Sequence, residues 1–509
     1  MAKTLETLLR EANFSGEKFD VETIKAREVI AEWALAHGEQ LPDTHGPSKL
    51  PSVISFQNLG DKMRSALSRD GKPDHAAVAR ALIGKIRERR AALQNVTIEE
   101  DKPVVPDGHP RAYILDSVRH PEEVELLRRI YEDAFVLIGV VCEEERRRER
   151  LLKKYADAGR DAISKFMGRD ASADEKAGQH VADAFHLSDF FVDHTANRTI
   201  DNRPNLDWDI NDHLSRLIRI LLRNEVVPPW ISETAMHHAF SAAMRSTCLS
   251  RQVGAALVDR TGVIIATGTN EVPKAGGGVY GEGFAKDPLE GRCALMTMPE
   301  GKDRFCRNTQ TQNEIIDELI TDIPELQALS DERKGKLKIE LRHTQIGSLI
   351  EFSRAVHAEM DAVLSAARKS TSIVGTRLFV TTFPCHYCAR HIVTAGLDEV
   401  QYIEPYPKSR ALMLHDDAIK IERTGWKPIS DGGTHVLFRP FSGIAPRLYK
   451  KAFLKDREFK DKNTGTMEVG LPIWGQPWHL GRISYVDLEA ELTKQGGTEW
   501  KKQPVGSSK

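Results

Sequence analysis

The chain has 509 residues, 40% apolar and 29% charged, with a net charge of −2. That balance implies a globular protein with room for two or three cored domains and excludes the global basic field of a duplex-binding protein. No apolar run approaches bilayer-spanning length, and the opening MAKTLETLLREANF lacks a signal-peptide core. Six cysteines in so long a chain make no disulfide framework, which points to a reducing cytoplasm.

In the first two hundred residues, Ile83 to Leu93 and Glu122 to Tyr131 read as helices. Arg111 to Asp116 and Phe135 to Val141 read as buried strands, the second continuously apolar as parallel strands are. Alternating strands and helices predict βαβ units on a parallel sheet. The charged run from Glu143 to Arg150 continues as a solvated helix laced with i,i+4 pairs. A strand ending in Asp116, then a helix, a strand and this charged run resemble the second half of P-loop nucleotide kinases, over roughly residues 50–195. Phe56 to Asp61 and Gly168-Arg169-Asp170 are compatible with that resemblance. A Walker A loop, G-x-x-x-x-G-K-[ST], is absent from the sequence: either the true start lies upstream, or the domain has lost kinase chemistry. No backbone cradle or lysine for the terminal phosphates is then available. The resemblance therefore implies a kinase-like regulatory domain over 1–200 without phosphoryl transfer.

Residues 201–230 mix polar turns with one amphipathic helix and end in Pro228-Pro229, which predicts a linker. A second domain is expected over 231–445. It opens with a helix from Glu233 to Met244, then two β-rich runs, Gln252 to Asp259 and Val263 to Gly268, joined by a hairpin turn. An insertion over 274–353 holds the Gly-rich AGGGVYGEG and a helical stretch from Asn313 to Leu341. Insertions of that length beside a site act as lids or regulatory elements.

The chemistry concentrates between Val356 and Arg390. His357-Ala358-Glu359 stands where a helix starts, with Met360, Val363 and Leu364 at helical spacing. Pro384-Cys385-His386-Tyr387-Cys388 follows the β-rich Leu378 to Thr382 and precedes a second helix, His391 to Ala395. Alone, C-x-x-C reads as a structural zinc clip or a redox pair. With the His and Glu it forms H-x-E…P-C-x-x-C, the signature of zinc nucleobase deaminases. One imidazole and two thiolates hold Zn²⁺ and leave a fourth position for water, whose pKa the metal lowers. Glu359 is not needed as a ligand. It is free to move protons between water, ring nitrogen N3 and the departing ammonia.

The stretch S-T-C-L-S-R-Q-V-G-A-A-L-V…G-T-N-E-V-P, joined to HAEMDAV and PCHYCA, is similar to deoxycytidylate deaminases of the zinc cytidine-deaminase superfamily over 231–440. That resemblance implies a three-layer α/β/α domain, a sugar contact from Asn270 and a phosphate contact from Lys274. A strand-end turn residue is the plainer reading of Asn270. Family members can also carry a second, structural zinc, for which Cys248, Cys293, Cys306 and His343 are the residues to hand; isolated buried cysteines are the alternative. The loop Glu404 to Arg410 offers Tyr406 as an aromatic face for a base and Lys408 as a cation for phosphate, or is an ordinary exposed loop.

The two-domain layout resembles bacterial anti-phage dCTP/dCMP deaminases. It implies a substrate that is dCTP, dCMP or both, nucleotide depletion on infection, a homo-oligomer, and a nucleotide or RNA regulator acting at the N-terminal half. Two other readings share the motif. One is deamination within RNA or single-stranded DNA, which calls for a basic, aromatic-lined groove that the neutral charge balance disfavours. The other is a non-catalytic sensor with structural zinc, which has no use for Glu359. Residues 446–509 read as an extension, with Trp474 and Trp478 in GLPIWGQPWHLG packing on the domain or on a neighbouring subunit.

Overall fold

The computed structural model describes residues 1–509 apart from 15, 44–48, 69–70, 100–101, 172–178, 201–202, 206–207, 224, 282–291, 295–303, 407, 456–457, 468–484 and 494–509. Trp474 and Trp478 lie outside the described residues. The chain forms two compact units, one of Met1–Pro228 with Ser442–Lys509, the other Pro229–Phe441.

In the first unit, strand Asp20–Lys25 pairs in parallel with Arg111–Asp116. Separately, Ile138–Val141 pairs in parallel with Phe190–Asp193, whose other edge takes Gly443–Ile444 antiparallel. The parallel pairs expected from the alternating pattern thus occur in two small sheets among the described residues. The apolar run Phe135 to Val141 enters its sheet late, at Ile138, because the Leu137 N–H donates to the Asp189 carboxylate at 2.8 Å.

Residues 201–230 are not the linker their polar turns suggested. The helix Ile210–Leu222 turns Leu214, Leu217 and Ile220 into a core with Phe190, Val192, Ile444 and Leu448. Its one-sided apolar stripe is what a packed helix needs. Among the described residues beyond 445, expected as an extension, a helix packs within this unit. Helix Tyr485–Thr493 buries Glu489, which accepts from both terminal nitrogens of Arg90 at 2.7 and 2.8 Å.

The second unit carries the functional residues. The elements that frame the site are, in order, α1 (Ile231–Ala243), β1 (Gly254–Val258), β2 (Ile264–Thr269), α2 (Arg307–Asp322), α3 (Ala358–Arg368), β3 (Arg377–Thr382), α4 (His386–Thr394), β4 (Glu399–Glu404), β5 (Ile419–Lys420) and β6 (Val436–Pro440). They build a six-stranded sheet in the order β2-β1-β3-β4-β6-β5. The β2/β1 and β1/β3 pairs are antiparallel; β3/β4, β4/β6 and β5/β6 are parallel.

Two glycines show how helices cover both faces. A Cβ on Gly254 would lie 2.0 Å from the Ala239 carbonyl oxygen of α1. One on Gly268 would lie 2.1 Å from the Ala358 carbonyl oxygen of α3. Gly268 pairs with Ala255, the neighbour of Gly254, and successive strand residues point to opposite faces. So α1 and α3 sit on opposite sides of the sheet, as the three-layer expectation requires. On the α3 side Ala255, Leu257, Leu378, Val380 and Val400 meet Ala358, Ala362 and Ile392 in one core.

The insertion departs from its expected single helix. α2 ends at Asp322, Pro324 opens a short turn, and a further helix runs Asp331–Arg342. Proline fits the first turn of a new helix and not the interior of an old one.

Candidate active site

Both halves of the zinc signature sit at helix N-termini. His357 is the N-cap of α3 and Cys385 the N-cap of α4, with Cys388 in the first turn. α4 starts at His386, five residues before the apolar periodicity suggests, because its first turn is Cys, His and Tyr rather than a hydrophobic stripe. The Cys385 sulfur accepts the Cys388 N–H at 3.5 Å. Amide donors and the positive end of the helix dipole favour a thiolate there.

The three donors converge. His357 Nδ1 lies 3.2 Å from Cys385 Sγ and 3.4 Å from Cys388 Sγ. Around one tetrahedral Zn²⁺, ordinary Zn–N and Zn–S bonds place N and S about 3.6 Å apart. Among the described residues these three are the group whose ligand atoms all fall within 4.8 Å of one another. The donor set, its spacing and its burial fit Zn²⁺. The neighbouring thiol of Cys388, then the imidazole of His357, hold the Cys385 thiol well below the usual thiol range. The hydrogen bond to Cys385 raises His357 to about 9, so cation binding there expels a proton.

Glu359 stands in the first turn of α3, 4% exposed. Burial, and then the charge on Cys385, push its carboxyl up to about 7. It opens onto a cleft of about 350 Å³ that also exposes His357, Cys385, Asn270, Tyr406 and Lys408.

Asn270 reaches the cleft with its amide already employed. Its Oδ1 accepts the Val253 N–H at 2.7 Å and its Nδ2 donates to the Arg251 carbonyl at 2.6 Å. Tyr406 is half-buried and Lys408 exposed, both on the cleft wall. Lys274 is a correction: it is not among the cleft-lining residues. It begins a tight turn in which its N–H donates to the Gly278 carbonyl at 3.0 Å, after which the chain returns and the Tyr280 N–H donates to the Val272 carbonyl at 3.0 Å.

The second zinc set is also not assembled. Cys248, Cys293 and Cys306 line the cleft, but among the described residues no three of these and His343 bring ligand atoms together. His343 caps the end of helix Asp331–Arg342, and the Cys306 sulfur sits at the start of α2, 3.9 Å from the Ser250 hydroxyl. Sequence reasoning passed over two cleft-lining arginines, Arg354 and Arg251, the guanidinium of the latter pairing with Glu404 at 2.8 Å. Arg251 lay inside the quoted S-T-C-L-S-R-Q-V-G stretch, where an arginine before a strand carries no signal of its own.

Residues 230–404 match the family described as the cytidine and deoxycytidylate deaminase zinc-binding region. The deaminase region is similar to the deoxycytidylate deaminase of enterobacteria phage T2, 29% identical over 182 residues, 35% of this chain and 82% of that protein. It is similar to that of phage T4 as well, 27% identical over 179 residues, 35% of this chain and 80% of that protein. Among solved structures, a dCMP deaminase from cyanophage S-TIM5 aligns at 19% identity over 42% of this chain and 100% of its own, with a TM-score of 0.23.

Proposed function

We propose that the chain hydrolytically deaminates a deoxycytidine nucleotide, dCMP, dCTP or both, to the deoxyuridine form and ammonia. The observation that carries this reading is the placement of buried Glu359 with His357 and Cys385 at the wall of one cleft, Cys388 completing the donor group behind it. When bound, Zn²⁺ supplies a water acidified toward neutrality as the nucleophile. Glu359 would carry one proton of the attacking water to ring nitrogen N3 as the water oxygen bonds C4. The same carboxyl would then carry the second proton from the new C4 hydroxyl to the exocyclic nitrogen, so that the C4–N bond breaks, C4=O forms and ammonia leaves. Such positioned proton transfer contributes about 10²–10⁴-fold.

The cleft offers the rest of a nucleotide matching partners. Tyr406 gives a face on which a pyrimidine stacks. Arg251, Arg354 and Lys408 give cations for phosphate. Asn270 borders the sugar side, where one N–H of its amide is left after its backbone contacts. The named activity of the phage relatives supports dCMP. On this reading the chain draws down deoxycytidine nucleotides, the route by which it would act against phage replication, with the first unit as the place for a regulator.

The test is ammonia release from dCMP, dCTP, CMP, deoxycytidine and single-stranded oligonucleotides by purified, zinc-loaded chain. Turnover of a deoxycytidine nucleotide is expected, lost in Glu359→Gln with zinc retained. Deamination of oligonucleotides alone overturns the proposal.

A further inference from the structure

Glu271 follows Asn270 at the exit of β2 and is 2% exposed. Its Oε2 accepts the Thr247 N–H and the Thr247 hydroxyl, each at 2.7 Å. Its Oε1 accepts the Val272 N–H at 2.8 Å. Its carbonyl accepts the Val356 N–H at 3.0 Å. Thr247 opens the loop whose Cys248, Ser250 and Arg251 line the cleft, and Val356 precedes His357, which lines it too. One residue therefore joins the substrate-side loop to the approach of the metal ligand.

The loop needs such an anchor. Leu249 to Gln252 are exposed, so few packing contacts order them. Their attachments are polar: Ser246 Oγ donates to the Asn270 carbonyl at 2.7 Å, the Asn270 amide holds Arg251 and Val253, and Gln252 donates to the Ser246 carbonyl at 2.8 Å. Glu271 fixes the loop's other end. With Arg251 pinned by its backbone to Asn270 and by its guanidinium to Glu404, a shift at Thr247 moves the loop from which that cation projects.

We propose that Glu271 is a positioning residue: it holds the Arg251 loop at its distance from His357 and thereby sets how tightly the cleft binds the phosphorylated end of its substrate. This rests on the deoxycytidine-nucleotide reading. The carboxylate faces three donors, so Glu271→Gln turns an amide NH₂ toward at least one of them. It weakens the anchor while keeping the side chain's volume.

The experiment compares zinc-loaded wild type, Glu271→Gln and Thr247→Val. The last removes one hydroxyl donor and nearly no volume, so it decides the matter if Glu271→Gln fails to fold. Trypsin cleavage after Arg251, followed by mass spectrometry, reports loop anchorage without reference to activity. Cleavage is expected to accelerate about tenfold in Glu271→Gln and about threefold in Thr247→Val. The KM for dCMP is expected to rise about tenfold with kcat within about threefold, and the KM for deoxycytidine to stay within about twofold. Unchanged cleavage after Arg251 overturns the proposal. So does a joint fall in kcat and zinc content, the mark of a merely structural role. If wild type turns over no deoxycytidine nucleotide, the substrate reading fails, and the tryptic rate still decides whether Glu271 anchors the loop.

Discussion

Asp361 accepts the backbone N–H of Thr269 at 3.1 Å, joining the helix that carries Glu359 to the last residue before Asn270. The carboxylate is 4% exposed, so water cannot replace it. Asp361→Ala leaves a buried N–H without its acceptor, at a cost of about 1–3 kcal/mol. Asp361→Asn keeps one acceptor oxygen and costs less than about 1 kcal/mol. Denaturant unfolding of the zinc-loaded chain measures both. The alanine variant is expected to lose turnover further than its zinc content falls, because α3 and the Asn270 end of β2 lose their shared register.

One zinc per chain is expected, since His357, Cys385 and Cys388 form the ligand group among the described residues. Those ligands come from the starts of α3 and α4, so the metal cross-links two helices of one core. A ligand that binds the folded state alone adds stability by mass action, about 4 kcal/mol at a thousandfold excess over its dissociation constant. Dialysis against a strong chelator is therefore expected to lower the denaturation midpoint and abolish turnover together. One equivalent of Zn²⁺ restores both. Two tightly held zincs by metal analysis contradict the single-site arrangement.

The metal site was legible in the sequence because its chemistry is local: His357 and Glu359 are two residues apart, Cys385 and Cys388 three. The cleft around it was not. Arg251, Asn270, Arg354 and Tyr406 come from four separate segments that meet only when β1 and β2 pair and β4 crosses over in parallel beside β3. Lys274 looked as good a phosphate ligand as Arg251 by charge. Lys274 instead opens a tight turn closed by the Gly278 carbonyl and does not line the cleft, and which side chains line a cleft is not written in residue type. The helix Ile210–Leu222 was visible as amphipathic; what its apolar face packs against comes from Ile444 and Leu448, more than two hundred residues on.

A further long-range tie is open to test in the first unit. Arg90 and Glu489 form a bidentate pair with side chains 5% and 0% exposed. Tyr131 donates a further hydrogen bond to the same carboxylate. Removing one partner of such a pair strands the other charge away from water, at about 3–5 kcal/mol. Glu489→Ala is expected to lower the stability of the first unit by that amount, read as amide hydrogen exchange across helix Ala77–Gln94. Replacing both partners, Arg90→Met with Glu489→Leu, is expected to recover most of the loss, since no unpaired charge then remains.

Gly268 makes the sharpest stability prediction, because the obstruction above it is backbone. A Cβ there would meet the Ala358 carbonyl oxygen at 2.1 Å and the Ala362 nitrogen at 2.3 Å, and neither can rotate aside. Gly268→Ala forces α3 off the sheet, and overpacking against such a wall costs about 3 kcal/mol or more. The same displacement carries His357 and Glu359 away from Cys385, so zinc affinity and turnover should fall with stability. Gly335→Ala supplies the contrast in the same unit. Nothing lies within 4 Å of the position a Cβ would take, and the residue sits inside helix Asp331–Arg342. There the substitution is expected to stabilise by about 0.5–1 kcal/mol through reduced backbone entropy of the unfolded chain. Denaturation midpoints and zinc titrations of the two variants side by side check the pair. A Gly268→Ala chain as stable as Gly335→Ala contradicts the close approach of β2 and α3.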